Sequence, residues 1–281
     1  MSAKHATAIG KGHRVNQDSY IVLERGRVHA YLVCDGHGDH GEKISRYVIA
    51  RLPQMILSYM LDMSDTKPAT VAIQHALADM DAQVGEDLRE YSDSSGCTAA
   101  GVILDSETKS GYMFSVGDSL VTAFYDRDDR ATSLQLQNAS NAPPSIISKI
   151  DDAAWRTHKA YIGKPTEDTG TRYMLFPDDV YGGGLQLYST LGDFDLKRVN
   201  PIVRVYPQVS RFWQTDRGGK LRFLVTSDGY LDGIRHKAQS RAWYTTIRTE
   251  LEAARGDARD LVKMAKDRGS TDDITVLSFV M

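Results

Sequence analysis

Residues 28–41 read VHAYLVCDGHGDHG. The β-branched and aromatic run predicts a strand, and it stops on an acid, a glycine and a histidine. Asp35 offers hard oxygen ligands, Gly36 lets the chain turn so that its own carbonyl can point the same way, and His37 exchanges a proton near neutral pH. Asp-Gly by itself marks a turn more often than a site. What separates the two readings is whether other acids are placed in the same way. After His37, Asp39 lies three residues before Glu42, a capping-box spacing that opens a helix. Along it Ile44, Val48, Leu52, Ile56 and Met60 form one apolar stripe.

Upstream, residues 19–24 form a second strand, paired with the first across Arg25-Gly26-Arg27. Downstream, Pro53 predicts a kink or interruption of the helix. Thr66 and Pro68 announce a second helix, with Ile73, Leu77, Met80, Val84 and Leu88 along one side. Short strands follow at 97–104, 112–116, 120–125 and 133–136, joined by turns of Gly, Asp and Ser. Between 137 and 184 periodicity weakens, which predicts an irregular, flap-like insertion with a short helix near 146–155. Regularity returns at 221–227, an apolar strand that again ends on an acid and a glycine, Asp228-Gly229. Two helical segments carry Trp243, Ile247 and Leu251, then Leu261, Val262 and Ala265, and a strand at 274–280 closes the chain. Helices placed as pairs among antiparallel strands predict an α+β fold with helix layers covering sheet.

With 281 residues, 41% of them hydrophobic, the chain can bury a sizeable core. No Pro, Ser or Gly-rich stretch divides it, so a single domain over 1–281 is expected. A formal net charge of -3 supplies no basic field for nucleic acid, and no apolar run is long enough to span a bilayer. Residues 1–5 are too polar to begin a signal peptide, and two cysteines are too few for a disulfide scaffold. These features predict a soluble, cytoplasmic protein with neither nucleic acid nor membrane as partner, in which Cys34 and Cys97 are small buried residues.

Asp35 and Asp228 each follow an apolar strand and precede a glycine. Asp18 lies just before a strand, Asp272-Asp273 just before the last one, and Asp118 in a turn between two. If these strand ends share one edge, the carboxylates converge as hard cations such as Mg²⁺ or Mn²⁺ require.

In sequence order RVNQDSY, VCDGHGDHG, SGCTAAGVI, SVGDSL, LYSTLGDFDLK, VTSDGYLDG and STDDITVLSFV resemble the successive motifs of the metal-dependent protein phosphatase (PPM, protein phosphatase 2C) family, from residue 14 to residue 280. The resemblance implies a four-layer α-β-β-α sandwich, two antiparallel sheets flanked by helix pairs. It implies two Mg²⁺ or Mn²⁺ ions, with Asp35 bridging them, Asp228 and Asp272 on one, and Asp18 and the Gly36 carbonyl on the other. Asp118 falls where many members bind a third, weaker metal. Asp272 is preferred to Asp273 because the family reads Asp-Asn here and uses the first; Asp193 and Asp232 are expected to be structural or to support the ligands. The implied reaction is hydrolysis of phosphoserine or phosphothreonine in a phosphorylated protein by attack of a metal-bridging water, with His37 as general acid, by a monomeric enzyme.

Two departures stand out. The family's phosphate-binding arginine commonly lies five residues before the acid at position 18, whereas here His13 stands there and Arg14 is four before; Arg14 is taken as the substrate-binding residue. The 137–184 stretch lacks the family's usual Asp-His and its glycine-bordered arginine. Two alternatives therefore stay open, a phosphatase-like binding protein without turnover and a phosphatase of small phosphate esters. Neither cysteine heads a Cys-x5-Arg loop, which argues against cysteine-based phosphatase chemistry.

Overall fold

The structure, a computed structural model, describes residues 3–62, 68–126, 131–137, 185–199, 203–214 and 219–281. Residues 28–34 are a central strand, and their alternation builds the layers. Ala30, Leu32 and Cys34 enter one buried cluster while Tyr31 and Val33 enter another, because successive side chains of a strand point to opposite faces.

One five-stranded antiparallel sheet has the order β11-β7-β6-β3-β2, with β2 Ser19–Arg25, β3 Val28–Cys34, β6 Ala99–Asp105, β7 Ser110–Val116 and β11 Gln208–Trp213. A second has the order β1-β13-β12-β8-β9, with β1 Lys4–Ala8, β8 Leu120–Tyr125, β9 Ala131–Ser133, β12 Leu221–Thr226 and β13 Ile274–Val280. Between them lies an apolar layer in which the rings of Tyr31 and Phe223 each stack on Phe279, at 4.0 and 4.8 Å. A small three-stranded sheet, β10 Leu191–Gly192, β5 Ser95–Cys97 and β4 Gly36–Gly38, lies at the end of β3.

Helices cover both outer faces. α1 Gly41–Asp62 and α2 Ala69–Asp87 bury Ile44, Val48, Leu52, Ile56, Ile73, Leu77, Met80 and Val84 against β3, β6 and β7. After the short helices α3 Arg89–Ser92 and α4 Phe194–Val199, α5 Arg241–Ala253 and α6 Ala258–Asp267 bury Trp243, Ile247, Leu251, Leu261, Val262 and Ala265 against the other sheet. Ser240 caps α5 by accepting from the Trp243 N–H, and Asp257 caps α6 by accepting from the Arg259 N–H. The expected α+β architecture, helix pairs over two sheets, is the one observed.

Several local expectations are corrected. Pro53 does not interrupt α1, which runs through it to Asp62; burial of the Ile44, Val48, Leu52 and Ile56 stripe outweighs one lost helix hydrogen bond. The helix starts one residue later than the capping box predicts, with His40 contributing the first carbonyl, bonded to the Ile44 N–H. The strand expected at 97–104 is divided by Thr98 between two sheets, and that expected at 133–136 lies at Ala131–Ser133. Strands β1 and β11 had no local signal, since each forms by pairing at an edge with β13 or β7. Almost all of the expected 137–184 insertion, including its helix near 146–155, lies outside the described residues.

Candidate active site

Each acid is delivered by the end of an element. Asp35 follows β3, and its backbone is fixed on both sides by Thr98: the Asp35 N–H donates to Thr98 Oγ1 at 3.1 Å and its carbonyl accepts from the Thr98 N–H at 2.8 Å. Asp228 opens a 3-10 turn after β12, the Leu231 N–H donating to its carbonyl at 2.7 Å. Asp18 precedes β2. Its Oδ2 accepts from Ser227 Oγ at 2.7 Å, and Ser227 in turn accepts from the Thr275 N–H, so one hydroxyl joins the ends of β2, β12 and β13. Asp118 lies in the connection between β7 and β8.

These carboxylates repel one another in a dry setting. Burial pushes the Asp18 carboxyl up to about 7, Ser227 and Thr275 pulling against it and Asp273 and Asp272 adding to it. Burial also lifts Asp35 well above the usual range, helped by the charges of Asp228, Asp18 and Asp118, and lifts Asp228 likewise, helped by Asp118 and Asp272. After burial, the charge of Asp228 is the largest influence raising Asp35, as expected of two acids held close together. No described Lys or Arg forms an ion pair with Asp18, Asp35 or Asp228.

Asp18 Oδ1 is buried with no hydrogen-bond partner. A buried anionic oxygen without a donor is costly, and hard oxygens of this kind suit Mg²⁺ or Mn²⁺. Among the described residues no three His, Cys, Asp or Glu side chains already stand in a closed metal-holding group. The donor chemistry of these buried carboxylates fits a divalent cation.

The structure distinguishes Asp272 from Asp273. Asp273 Oδ1 accepts from the Gly10 N–H at 2.6 Å and faces His13 Nδ1 at 3.2 Å, and Oδ2 accepts from the Gln17 N–H at 2.8 Å. Both its oxygens are committed to the loop 10–17. Asp272 Oδ1 accepts from the Asp273 N–H, and its charge acts on Asp18 and Asp228. Arg14 is exposed on that loop, with no hydrogen bond or ion pair among the described residues, so the structure does not bring it into contact with the acids.

Gly36 does not turn the chain. It begins β4, paired with Cys97, and the positive φ falls two residues later, at Gly38. Glycine is needed because the first turn of α1 packs against it: an added Cβ would collide with the Gly41 carbonyl and lie 2.6 Å from that of Gln17. The close approach ties the Asp35 loop, the helix start and the Asp18 loop together.

His37 is 23% exposed, and its Nε2 lies 2.7 Å from Oδ2 of Asp193. Burial lowers its pKa, but the Asp193 carboxylate and its hydrogen bond prevail and the net direction is upward. Sequence reasoning assigned Asp193 only a supporting place and did not pair it with His37. The only local signal was an acid just after a strand end, Leu-Gly-Asp, without the following glycine that marked Asp35 and Asp228. Thr98 and Ser227, which fix the acids, gave no signal beyond being hydroxyls beside them.

No family model matches the chain. Among curated proteins it is 26% identical over 229 residues to "Probable protein phosphatase 2C 61" of Arabidopsis thaliana, covering 80% of this chain and 68% of that one. It is 25% identical over 226 residues to "Probable protein phosphatase 2C 64" of Oryza sativa subsp. japonica, covering 78% of this chain and only 51% of the relative. Among solved structures, serine-threonine phosphatase 2C from Toxoplasma gondii aligns over 98% of this chain and 93% of its own, with TM-score 0.71 at 17% identity. The catalytic domain of the serine/threonine protein phosphatase PstP, in complex with two manganese ions, aligns over 99% and 96%, with TM-score 0.53 at 17% identity.

Proposed function

We propose that this chain, a member of the metal-dependent protein phosphatase family, is a serine/threonine phosphoprotein phosphatase whose one catalytic domain spans residues 1–281. The observation that carries the reading is the cluster of buried, mutually repelling acids at the strand ends, with one oxygen of Asp18 lacking any donor. The relatives named protein phosphatase 2C support it, as does the manganese bound by a protein of the same fold.

In this reading Asp18, Asp35, the Gly36 carbonyl, Asp228 and Asp272 would hold two Mg²⁺ or Mn²⁺ ions, Asp228 and Asp272 serving one, Asp18 and the Gly36 carbonyl the other, and Asp35 both. Asp118 serves a third, weaker site. When bound, such a pair supplies an activated water and neutralises charge on a phosphoryl group. The chain's own groups do the rest. The leaving serine or threonine oxygen is strongly basic, and His37 hands it a proton as the ester P–O bond breaks. Arg14 offers a planar fork to the phosphate oxygens. The protein acts as a monomer on phosphoproteins in the cytoplasm; no described helix is long and apolar enough to cross a membrane.

Hydrolysis of phosphoserine and phosphothreonine peptides, an aryl phosphate and a small alkyl phosphate, with and without Mn²⁺ or Mg²⁺, tests this in wild type and Asp35→Asn. The expected outcome is metal-dependent turnover of the peptides that is lost in the variant. Metal-independent turnover, or an unaffected variant, refutes the metal reading. An inactive wild type favours a phosphatase-like binding protein, and a preference for the small ester favours the other alternative.

A further inference from the structure

The His37 ring is held from behind by a buried, charged assembly that the proposed chemistry has not used. Asp193 Oδ2 takes the ring's Nε2 at 2.7 Å and also accepts from Thr190 Oγ1 at 2.7 Å. Gly96 makes room for it, since a Cβ there would collide with that same oxygen. Asp193 is 3% exposed and has φ +53°, a left-handed conformation that Asp and Asn tolerate better than other residues with a side chain. Its N–H donates to the Ser95 carbonyl at 3.0 Å, and its carbonyl accepts from the Lys197 N–H at 3.0 Å.

Lys197, on α4, turns back into the protein. Its Nζ donates to the Thr190 carbonyl at 2.9 Å and to Asp81 Oδ1 at 2.7 Å, and the Gly192 N–H donates to the same Asp81 oxygen at 2.8 Å. Burial moves Lys197 down and Asp81 up, each toward its neutral form, while each one's charge opposes the other's shift. An ion pair in such a place is weak support for stability alone. What it does geometrically is lock residues 190–193 to α2, and those residues aim Asp193 at the ring.

We infer that Asp193 is the positioning residue for His37, accepting the hydrogen on Nε2 so that Nδ1 is the nitrogen that gives up its proton, with the Lys197–Asp81 pair holding Asp193 in place. As the ester P–O bond breaks, the proton on Nδ1 moves to the leaving serine or threonine oxygen, which departs as the alcohol. His37 is left neutral, still carrying hydrogen on Nε2 toward Asp193. The inference deepens the phosphatase reading and rests on it for the chemical step.

Two variants test it. Asp193→Asn keeps shape and backbone conformation but removes the charge, and Thr190→Val leaves Asp193 intact while removing one donor from its carboxylate. With Mn²⁺, turnover is compared on a phosphoserine peptide, whose leaving group needs a proton, and on an aryl phosphate, whose leaving group needs it less. Asp193→Asn is expected to lower kcat on the peptide by about 100-fold, the lower end of what general acid catalysis contributes, with a distinctly smaller loss on the aryl phosphate. Thr190→Val should shift the same ratio in the same direction by less. In a His37→Ala background Asp193→Asn should add almost nothing, because residues acting as one unit are not additive. Equal losses on both substrates, or a full further loss without His37, overturn the inference.

A readout independent of turnover is the nitrogen-15 spectrum of labelled histidine at alkaline pH, with His37 identified by its disappearance in His37→Gln. Wild type should show hydrogen on Nε2, and Asp193→Asn a mixture of the two neutral tautomers. An unchanged ring in the variant overturns the positioning role. If wild type hydrolyses no phosphate ester, the phosphatase reading falls, and this spectrum still decides whether Asp193 sets the ring.

Discussion

Asp272 and Asp273 are neighbouring acids for which the structure predicts opposite behaviour. Asp273 gives one oxygen to the Gly10 N–H at 2.6 Å and the other to the Gln17 N–H at 2.8 Å, and its side chain is 4% exposed. In Asp273→Asn one carboxylate oxygen becomes an NH₂ group. Whichever way the amide is turned, it presents a donor to one of the two backbone donors. A buried donor left unpaired costs about 1–3 kcal/mol. At about 2–4 °C of Tm per kcal/mol for a chain of this size, the midpoint falls by about 2–12 °C. Asp272→Asn is different. Its Oδ1 accepts from the Asp273 N–H at 2.8 Å, which an amide oxygen also does, and the change removes a charge that raises Asp18 and Asp228. In metal-free buffer its Tm is therefore expected to match or exceed that of wild type. Thermal unfolding followed by circular dichroism in the presence of a chelator measures both. Adding Mn²⁺ should then raise the Tm of wild type by mass action and leave Asp272→Asn little changed. A wild-type Tm for Asp273→Asn, or equal destabilisation by the two substitutions, refutes the division of labour between them.

Gly36→Ala places a methyl against the Gly41 and Gln17 carbonyls; overpacking of this kind costs about 1–3 kcal/mol. A lower urea midpoint together with weaker Mn²⁺ binding by calorimetry is expected, and unchanged values for both count against the close-packing account of this glycine. Trp243→Ala empties a fully buried site between α5 and the sheet below it. It should cost about 3–5 kcal/mol in chemical denaturation, and a loss below about 1 kcal/mol would show that this helix is not held by its apolar face.

The layers were legible because they rest on local periods. The alternation through residues 28–34 and the stripes at Ile44, Val48, Leu52 and Ile56, or at Ile73, Leu77, Met80 and Val84, appear in the structure as faces of buried clusters. Asp35 and Asp228 were legible for a similar reason, each being an acid before a glycine at the end of an apolar strand. Pro53 was misjudged because its local penalty is small beside the burial of four side chains on the same helix. Gly36 was assigned to a turn because Asp-Gly has that local meaning, whereas its need for glycine comes from Gln17 and Gly41 crowding it.

The sequence by itself determined the α+β class, the strand ends and the acids they carry, since each follows from residues within one turn or one pleat of one another. Which groups His37 and Asp273 meet is visible only in the tertiary structure. His37 meets Asp193 across 156 positions of chain, and Asp273 meets Gly10 and Gln17 across 263 and 256. Hydrogen bonds over such separations leave no periodic trace in the sequence, because they depend on where independent elements come to rest when their apolar faces are buried.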